Sequence, residues 1–190
     1  MASADTSDSG DTVADAIDLL TRDHRLIEEL FAAFALAAPQ QQEPLARRTC
    51  KMLRVHTQIE EELFYPVARR ALQDDALISE SEREHAQAKQ TIARIESMSS
   101  DHPNFKSVVS ELSAQIAHHV QEEEKQLFPR LRATGANFVS LGIALAERRA
   151  TLLETFGLHA DDEEGAANQR EILQPSRLTA EDREERRTKQ

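Results

Sequence analysis

Two stretches of this chain repeat one device. HTQIEEELFYP (56–66) and HVQEEEKQLFP (119–129) each carry a His, a Glu four residues on, an aromatic nine on and a Pro ten on. On a helix the Glu sits one turn from its His, rotated only about 40° around the axis. A chain that builds this twice must bring two such helices together if the pairs are to act jointly. Bundles do this, with His and carboxylate side chains projecting inward from facing helices.

The rest of the chain suits helices. Ala, Leu, Glu, Gln and Arg dominate, only five Gly and six Pro occur in 190 residues, and no strand-like alternation is present. Thr12 with Asp15 forms a weak capping box for a first helix that stops before Pro39, with Ile17, Leu20, Ile27, Phe31 and Phe34 at three- and four-residue steps. A second helix follows Glu43-Pro44 and continues to Leu72. Asp74 and Asp75 mark a break, and a third helix covers 76–98. SSDHPN (99–104) is a turn, a fourth helix runs over 105–133, and Gly135 to Asn137 breaks it before a fifth over 138–156.

The expectation is an all-α fold: an up-down-up-down four-helix bundle over 12–133, after a disordered N-terminus at 1–11. An additional helix at 134–157 packs outside the bundle or against another subunit, and 158–190 forms a charged, flexible tail.

Of seven histidines, four fall one per bundle helix: His24, His56, His85 and His119. His24 shares its face with Ile17, Leu20 and Phe31, His56 with Leu53, Leu63 and Phe64, and His85 with Ile78 and Ile92, at about 100° per residue. His119 is preferred to His118 because its offsets to Glu, aromatic and Pro copy those of His56. His24 precedes Ala38 by 14 residues and His56 follows Glu43 by 13, so an antiparallel pair levels them. His85 and His119 match similarly across 99–104. The second helix overshoots the third, a mismatch the spacing leaves open.

Four imidazoles in one core layer, with Glu60 and Glu123 a turn along, would be costly without a cation. Imidazole and carboxylate are natural ligands of iron, manganese or zinc. Two carboxylates between two His pairs suit a two-metal centre, each Glu bridging. Other candidates carry plainer readings. Glu28 stays open as an extra carboxylate, with a surface role expected. His118, about 100° off the chosen face, is a minor candidate. Lys89 is either a donor behind the ligands or a side chain reaching outward. Glu61, Glu62, Glu122 and Glu124 are expected on a solvated face, Tyr65 points away from His56, and Pro66 and Pro129 end or kink their helices. His102 and His159 are expected in solvent, and Cys50 lies off the ligand face.

Charge narrows the partners. Twenty-three basic and 34 acidic side chains give a formal charge of −11, which disfavours nucleic acid and anionic membrane. One cysteine precludes an internal disulfide. MASADTSDSGDT lacks the features of a secretory signal, and no apolar run approaches the ~20 residues of a bilayer span. The expected location is the cytoplasm.

DHRLIEELF (23–31), HTQIEEELFYP, EHAQAKQTI (84–92) and HVQEEEKQLFP, in the order H…HxxxE…H…HxxxE, resemble the hemerythrin-like HHE cation-binding family over residues 13–133. The resemblance implies an oxo- or hydroxo-bridged di-iron centre, two iron ions per chain, held by His24, His56, Glu60, His85, His119 and Glu123. Manganese or zinc are alternatives. The oxygen-carrying members have HxxxH on the third helix, where this chain has His85 and Lys89, and an Asp five residues after the last His, where this chain has Glu123 at four. Fewer His ligands leave more open metal positions. That favours O2, peroxide or nitric oxide chemistry, in sensing, storage or detoxification, over reversible transport.

Two other functions fit the residues. One is a di-iron enzyme disproportionating peroxide. The other is a helical regulatory module pinned by metal, meeting a second copy or a protein partner through the fifth helix and tail. No catalytic residue, organic cofactor or organic-substrate pocket is legible.

Overall fold

The computed structural model describes residues 15–73 and 75–158. The expected disordered segment 1–11, Thr12 and the tail from 159 lie outside them. Among the described residues the chain forms five helical rods, two of them interrupted by a widened turn. The rods are α1 (Ala16–Leu36); α2 (Pro39–Ile59) running through a π-turn (Glu60–Phe64) into α3 (Tyr65–Leu72); α4 (Ala76–Ser97); α5 (Phe105–Glu122) running through a second π-turn (Glu123–Leu127) into α6 (Phe128–Ala133); and α7 (Val139–Thr155). The first four make the expected all-α bundle, and α7 is the additional helix.

Local chemistry explains the boundaries. Asp15 is the N-cap of α1 and accepts from the Asp18 N–H at 3.0 Å. Such a cap is worth about 0.5–2 kcal/mol. The second rod begins at Pro39, five residues before the expected Pro44. Pro39 drives Ala38 to extended backbone (ψ 149°) and takes the first helical turn, where its missing N–H costs nothing. The Gln42 side chain then donates to the Ala37 carbonyl at 3.2 Å, closing the two-residue joint. Gly135 (φ 70°) turns the chain out of α6. Gly157 (φ 64°) ends α7, with the Leu158 N–H returning to the Leu153 carbonyl at 2.9 Å.

Pro66 and Pro129 do not end their helices. Each lacks an N–H and presses on the carbonyl four residues back. The chain relieves this upstream by opening one turn to π geometry: the Tyr65 N–H bonds Glu60 O, and the Phe128 N–H bonds Glu123 O, both five residues back. Helix resumes to Leu72 and Ala133. Both widened turns start on the glutamate of an HxxxE pair.

The core runs along the bundle axis. Leu20, Ile27, Leu30, Leu53, Ile78, Ile92, Ile95 and Leu112 are buried, each worth about 1.5–3 kcal/mol against exposure. The Phe34 and Phe105 rings meet at 6.4 Å, and Phe64 meets Phe128 edge-on at 5.7 Å. Of the two placements expected for the fifth helix, α7 takes the bundle's own outer surface, lying on α1 and α2 and burying Leu145 and Leu152. The Phe138 carbonyl accepts from the Ala16 N–H at 3.3 Å, tying the start of α7 to the start of α1. No helix among the described residues is long and apolar enough to cross a membrane.

Candidate metal centre

The bundle brings His24, His56, Glu60, His85, His119 and Glu123 into one buried cluster, none more than 2% exposed. His24 and His56 stand edge to face at 4.9 Å between ring centres, and His85 and His119 lie tilted at 4.6 Å. His24 and His119 link the pairs at 6.5 Å. The register of the second and third rods settles the overshoot. His85 lies beside Glu61 and Tyr65 and not beside His56; Glu60 joins the two, its Oε2 lying 3.2 Å from His56 Nε2 and 3.3 Å from His85 Nε2. Glu123 joins His24 to His119, at 3.3 and 3.6 Å.

The inward atoms form two sets with metal-ligand spacing. His24, His56, Glu60 and Glu123 make one; Glu60, His85 and His119 make the other. Glu60 belongs to both. Glu28 lies on the surface, paired with Arg25 at 2.5 Å. His118 also points outward, its side chain 64% exposed. Cys50 is buried away from the cluster.

Behind each ring stands a carboxylate. His24 Nδ1 lies 2.9 Å from Glu124, His85 Nδ1 3.0 Å from Glu61, and His119 Nδ1 3.0 Å from Glu84. His56 Nδ1 faces Asp23 across 3.8 Å. An ionised carboxylate only accepts, so the three hydrogen bonds at His24, His85 and His119 place the proton on Nδ1 and turn the Nε2 lone pair inward, the tautomer a metal needs. The set is two-fold in sequence as well. Asp23-His24 pairs with Glu84-His85, and Glu60-Glu61 with Glu123-Glu124.

Two sequence expectations are corrected here, and one of the two roles left open for Lys89 is observed. Glu61 and Glu124 are not simply solvated; each holds a histidine. Lys89 is the supporting donor, giving 2.6 Å contacts to both Glu61 oxygens. Tyr65 does not point away. At about 100° per residue it would sit opposite His56, but the π-turn takes up one extra residue and swings it inward. Its hydroxyl donates to Glu123 Oε1 at 2.9 Å and lies 3.2 Å from His85 Nε2. The signal was in the sequence: a Pro one residue after each aromatic, ten after each His.

The electrostatics describe a cluster short of positive charge. Burial, then the charge of Glu123, pushes the Glu60 carboxyl up to about 8. Burial would raise Glu123 too, but His119 and His24 hold it below the ordinary carboxylate range. Burial would lower His24, yet the carboxylates of Glu123 and Glu124 beside its two nitrogens lift it to about 10. Glu61 is held down to about 2, chiefly by its hydrogen bond to His85. Tyr65 is raised well above 10, mainly by burial, and keeps its proton.

Protein atoms alone do not satisfy this cluster. His24 Nε2, both nitrogens of His56, both oxygens of Glu60 and Glu123 Oε2 are buried without a hydrogen-bond partner. His85 Nε2 and His119 Nε2 lie 3.1 Å apart, each ring with a carboxylate at its Nδ1. Buried polar atoms left this way are costly. Nitrogen and oxygen donors converging with their lone pairs inward fit a bound cation.

Comparison with known proteins agrees with a cation-binding helical bundle. A family model described as the hemerythrin HHE cation binding domain matches residues 15–131. The solved structure of a hemerythrin HHE cation binding domain-containing protein from Mycobacterium kansasii is similar at TM-score 0.66, covering 75% of this chain and 89% of that one. Its sequence is 22% identical, a likeness of fold. The chain is also 28% identical over 116 residues to a DNA nickase of Nostoc sp., across 60% of its own length and 33% of the relative's. It thus spans about a third of the curated relative it matches. The chain belongs to the hemerythrin HHE cation-binding domain family.

Proposed function

We propose that this chain is a non-haem di-iron protein that binds O2 or a related small oxidant, peroxide or nitric oxide, for sensing, storage or detoxification. One observation carries the reading: six buried histidine and glutamate side chains form two ligand sets sharing Glu60, with inward atoms that lack protein partners. In this reading His24, His56, Glu60 and Glu123 hold one ion, and His85, His119 and Glu60 hold the other. The sets supply four and three side chains, fewer than six-coordinate iron takes, so each ion keeps room for an exogenous ligand. A pair of irons held there would supply electrons for reaction with O2 or peroxide. The chain's own part is to hold the ions, fix the imidazole tautomers through the carboxylates behind them, and exclude bulk water with Phe64, Phe128 and Tyr65, none more than 4% exposed.

The test is metal analysis and an optical spectrum of the full chain purified without added metal. About two irons per chain are expected, by the logic of paired carboxylates in such bundles, with near-ultraviolet absorption from the bridged ferric pair. Reduced protein should recover that absorption in air. Zinc or manganese in place of iron, or reduced protein unchanged by O2, peroxide and nitric oxide, would sink the proposal.

Tyr65 favours a second reading, peroxide disproportionation, because it presents a protonated phenol to the centre from a site shielded from water. Oxygen release from added peroxide, lost in His56→Ala, would distinguish it from simple binding.

A further inference from the structure

A cleft of about 350 Å³ opens between α1 and the last turns of the fourth rod. Its rim is pinned by Arg132, which binds Asp15 at 3.0 Å and Asp18 at 2.6 Å. Its inner wall is apolar, made by Ile17, Phe128 and Pro129. Two of its lining side chains also touch the buried cluster. Phe128 lies parallel to the His24 ring, with 4° between the planes and 5.8 Å between the centres. Glu124 accepts from His24 Nδ1 at 2.9 Å. One aromatic ring therefore separates the cleft from a histidine of the cluster. Phe64 meets that ring edge-on at 5.7 Å.

The corresponding ring of the other half is held differently. Tyr65, nine residues after His56 as Phe128 is nine after His119, is fully buried and tied by its hydroxyl to Glu123. That hydrogen bond must break before Tyr65 can turn. Phe128 keeps 4% exposure, has no polar atom to tie it, and yields against packing alone. The weaker wall of the centre is thus the one that faces the cleft. Whatever passes Phe128 leaves water for a gap between aromatic rings. An ion loses its hydration there at heavy cost, and a small neutral molecule loses far less.

We propose that this cleft is the entrance to the centre for a small neutral ligand, and that Phe128 is the specificity-determining residue that admits it and holds back ions and bulk water. The assignment rests on the small-oxidant reading above and gives that oxidant its route. A second cleft supplies the control. It measures about 340 Å³ and is walled by Phe31, Phe34, Val109 and Ser110, with no residue of the cluster in its lining.

Tyr65 is the single tyrosine and the chain has no tryptophan, so the metal-free full chain carries its own fluorescent probe at the centre. The experiment is quenching of Tyr65 fluorescence by dissolved O2 and by iodide, with circular dichroism alongside, and stopped-flow binding of nitric oxide to the chain loaded with ferrous iron. O2 should quench wild type, and iodide should quench it far less. Phe128→Ala should raise O2 quenching and the nitric oxide association rate severalfold. Thr21→Phe places a ring across the mouth of the cleft and should lower both severalfold. Ser110→Phe fills the second cleft and should match wild type. Thr21 is half-buried and Ser110 exposed, so these two variants carry the test should Phe128→Ala fold poorly. Thr21→Phe indistinguishable from wild type overturns the proposal. So does an equal loss in Ser110→Phe, or iodide quenching as strong as that by O2. O2 quenching that follows the variants, in a chain that binds no nitric oxide when offered ferrous iron, supports the entrance and overturns the small-oxidant reading.

Discussion

Tyr65 donates its hydroxyl to Glu123 Oε1 at 2.9 Å, reaching from the second rod to the carboxylate of the fourth. Phe128, the residue nine after His119, holds the corresponding place and stacks flat on His24 at 5.8 Å with no hydroxyl to offer. The two halves of the cluster are thus alike in their His and Glu side chains and unlike in one donor. In Tyr65→Phe, Glu123 loses that donor within a buried site. Urea melts of the metal-free protein should show a loss of about 1–3 kcal/mol. The metal-bound protein should lose less, because the ions take over Glu123. Equal loss in both forms would mean the hydroxyl contributes to packing alone.

Chelation should destabilise the chain sharply. Six atoms of the cluster lack a hydrogen-bond partner, and only the folded chain brings them together, so ion binding would favour the folded state. With free ion about a thousandfold above Kd, linkage adds about 4 kcal/mol. For a chain of this size that corresponds to a Tm fall of about 8–16 °C on metal removal. A melt insensitive to a strong chelator would contradict the reading of these atoms as ligands.

Glu61 and Glu124 hold His85 and His24 by their Nδ1 atoms. Replacing either by Ala should weaken metal binding about 10–100-fold, measured by competition with a coloured chelator. Glu62→Ala, one residue away, should change little. Glu61 also makes the metal-free protein acid-sensitive. Its carboxyl is held at about 2, against 4.5 when unperturbed. Its contribution is complete above pH 4.5 and is lost as the pH falls toward 2. Acid melts of Glu61→Gln should lack that slope.

Cys50 is 1% exposed, and its thiol is pushed up to about 12, by burial first and the Glu96 charge second. Native protein at pH 8 should resist a disulfide reagent that labels the unfolded chain within minutes. The alkaline behaviour follows the same shift. Above pH 9 the unfolded thiol ionises and the folded one keeps its proton, so stability falls between about pH 9 and 12. Rapid labelling at pH 8, with helix content intact, would show that the site opens locally.

Repeated spacing made the clustered His and Glu residues legible. HxxxE recurs because a carboxylate one turn from an imidazole is the helical way to place two donors together, and spacing of that kind survives in one dimension. The acidic neighbours were equally available as the pairs Asp23-His24, Glu84-His85, Glu60-Glu61 and Glu123-Glu124. Glu61 and Glu124 were misread as solvated because a charged residue beside an inward-facing one normally faces outward, and Asp23 and Glu84 were given no role. Tyr65 was misplaced for a different reason: counting 100° per residue assumes an unbroken α-helix, and Pro66 had already widened the turn.

The sequence by itself determined the rods, their order and the six inward-facing donors, because helix periodicity and Pro and Gly positions act over a few residues. Only the tertiary structure decided the rest. His85 meets Glu61 and Tyr65 and not His56, and Arg149 crosses from α7 to Asp23, a contact spanning 126 residues. Such pairings depend on the relative tilt and register of packed rods, which many distant contacts set together and no local pattern encodes.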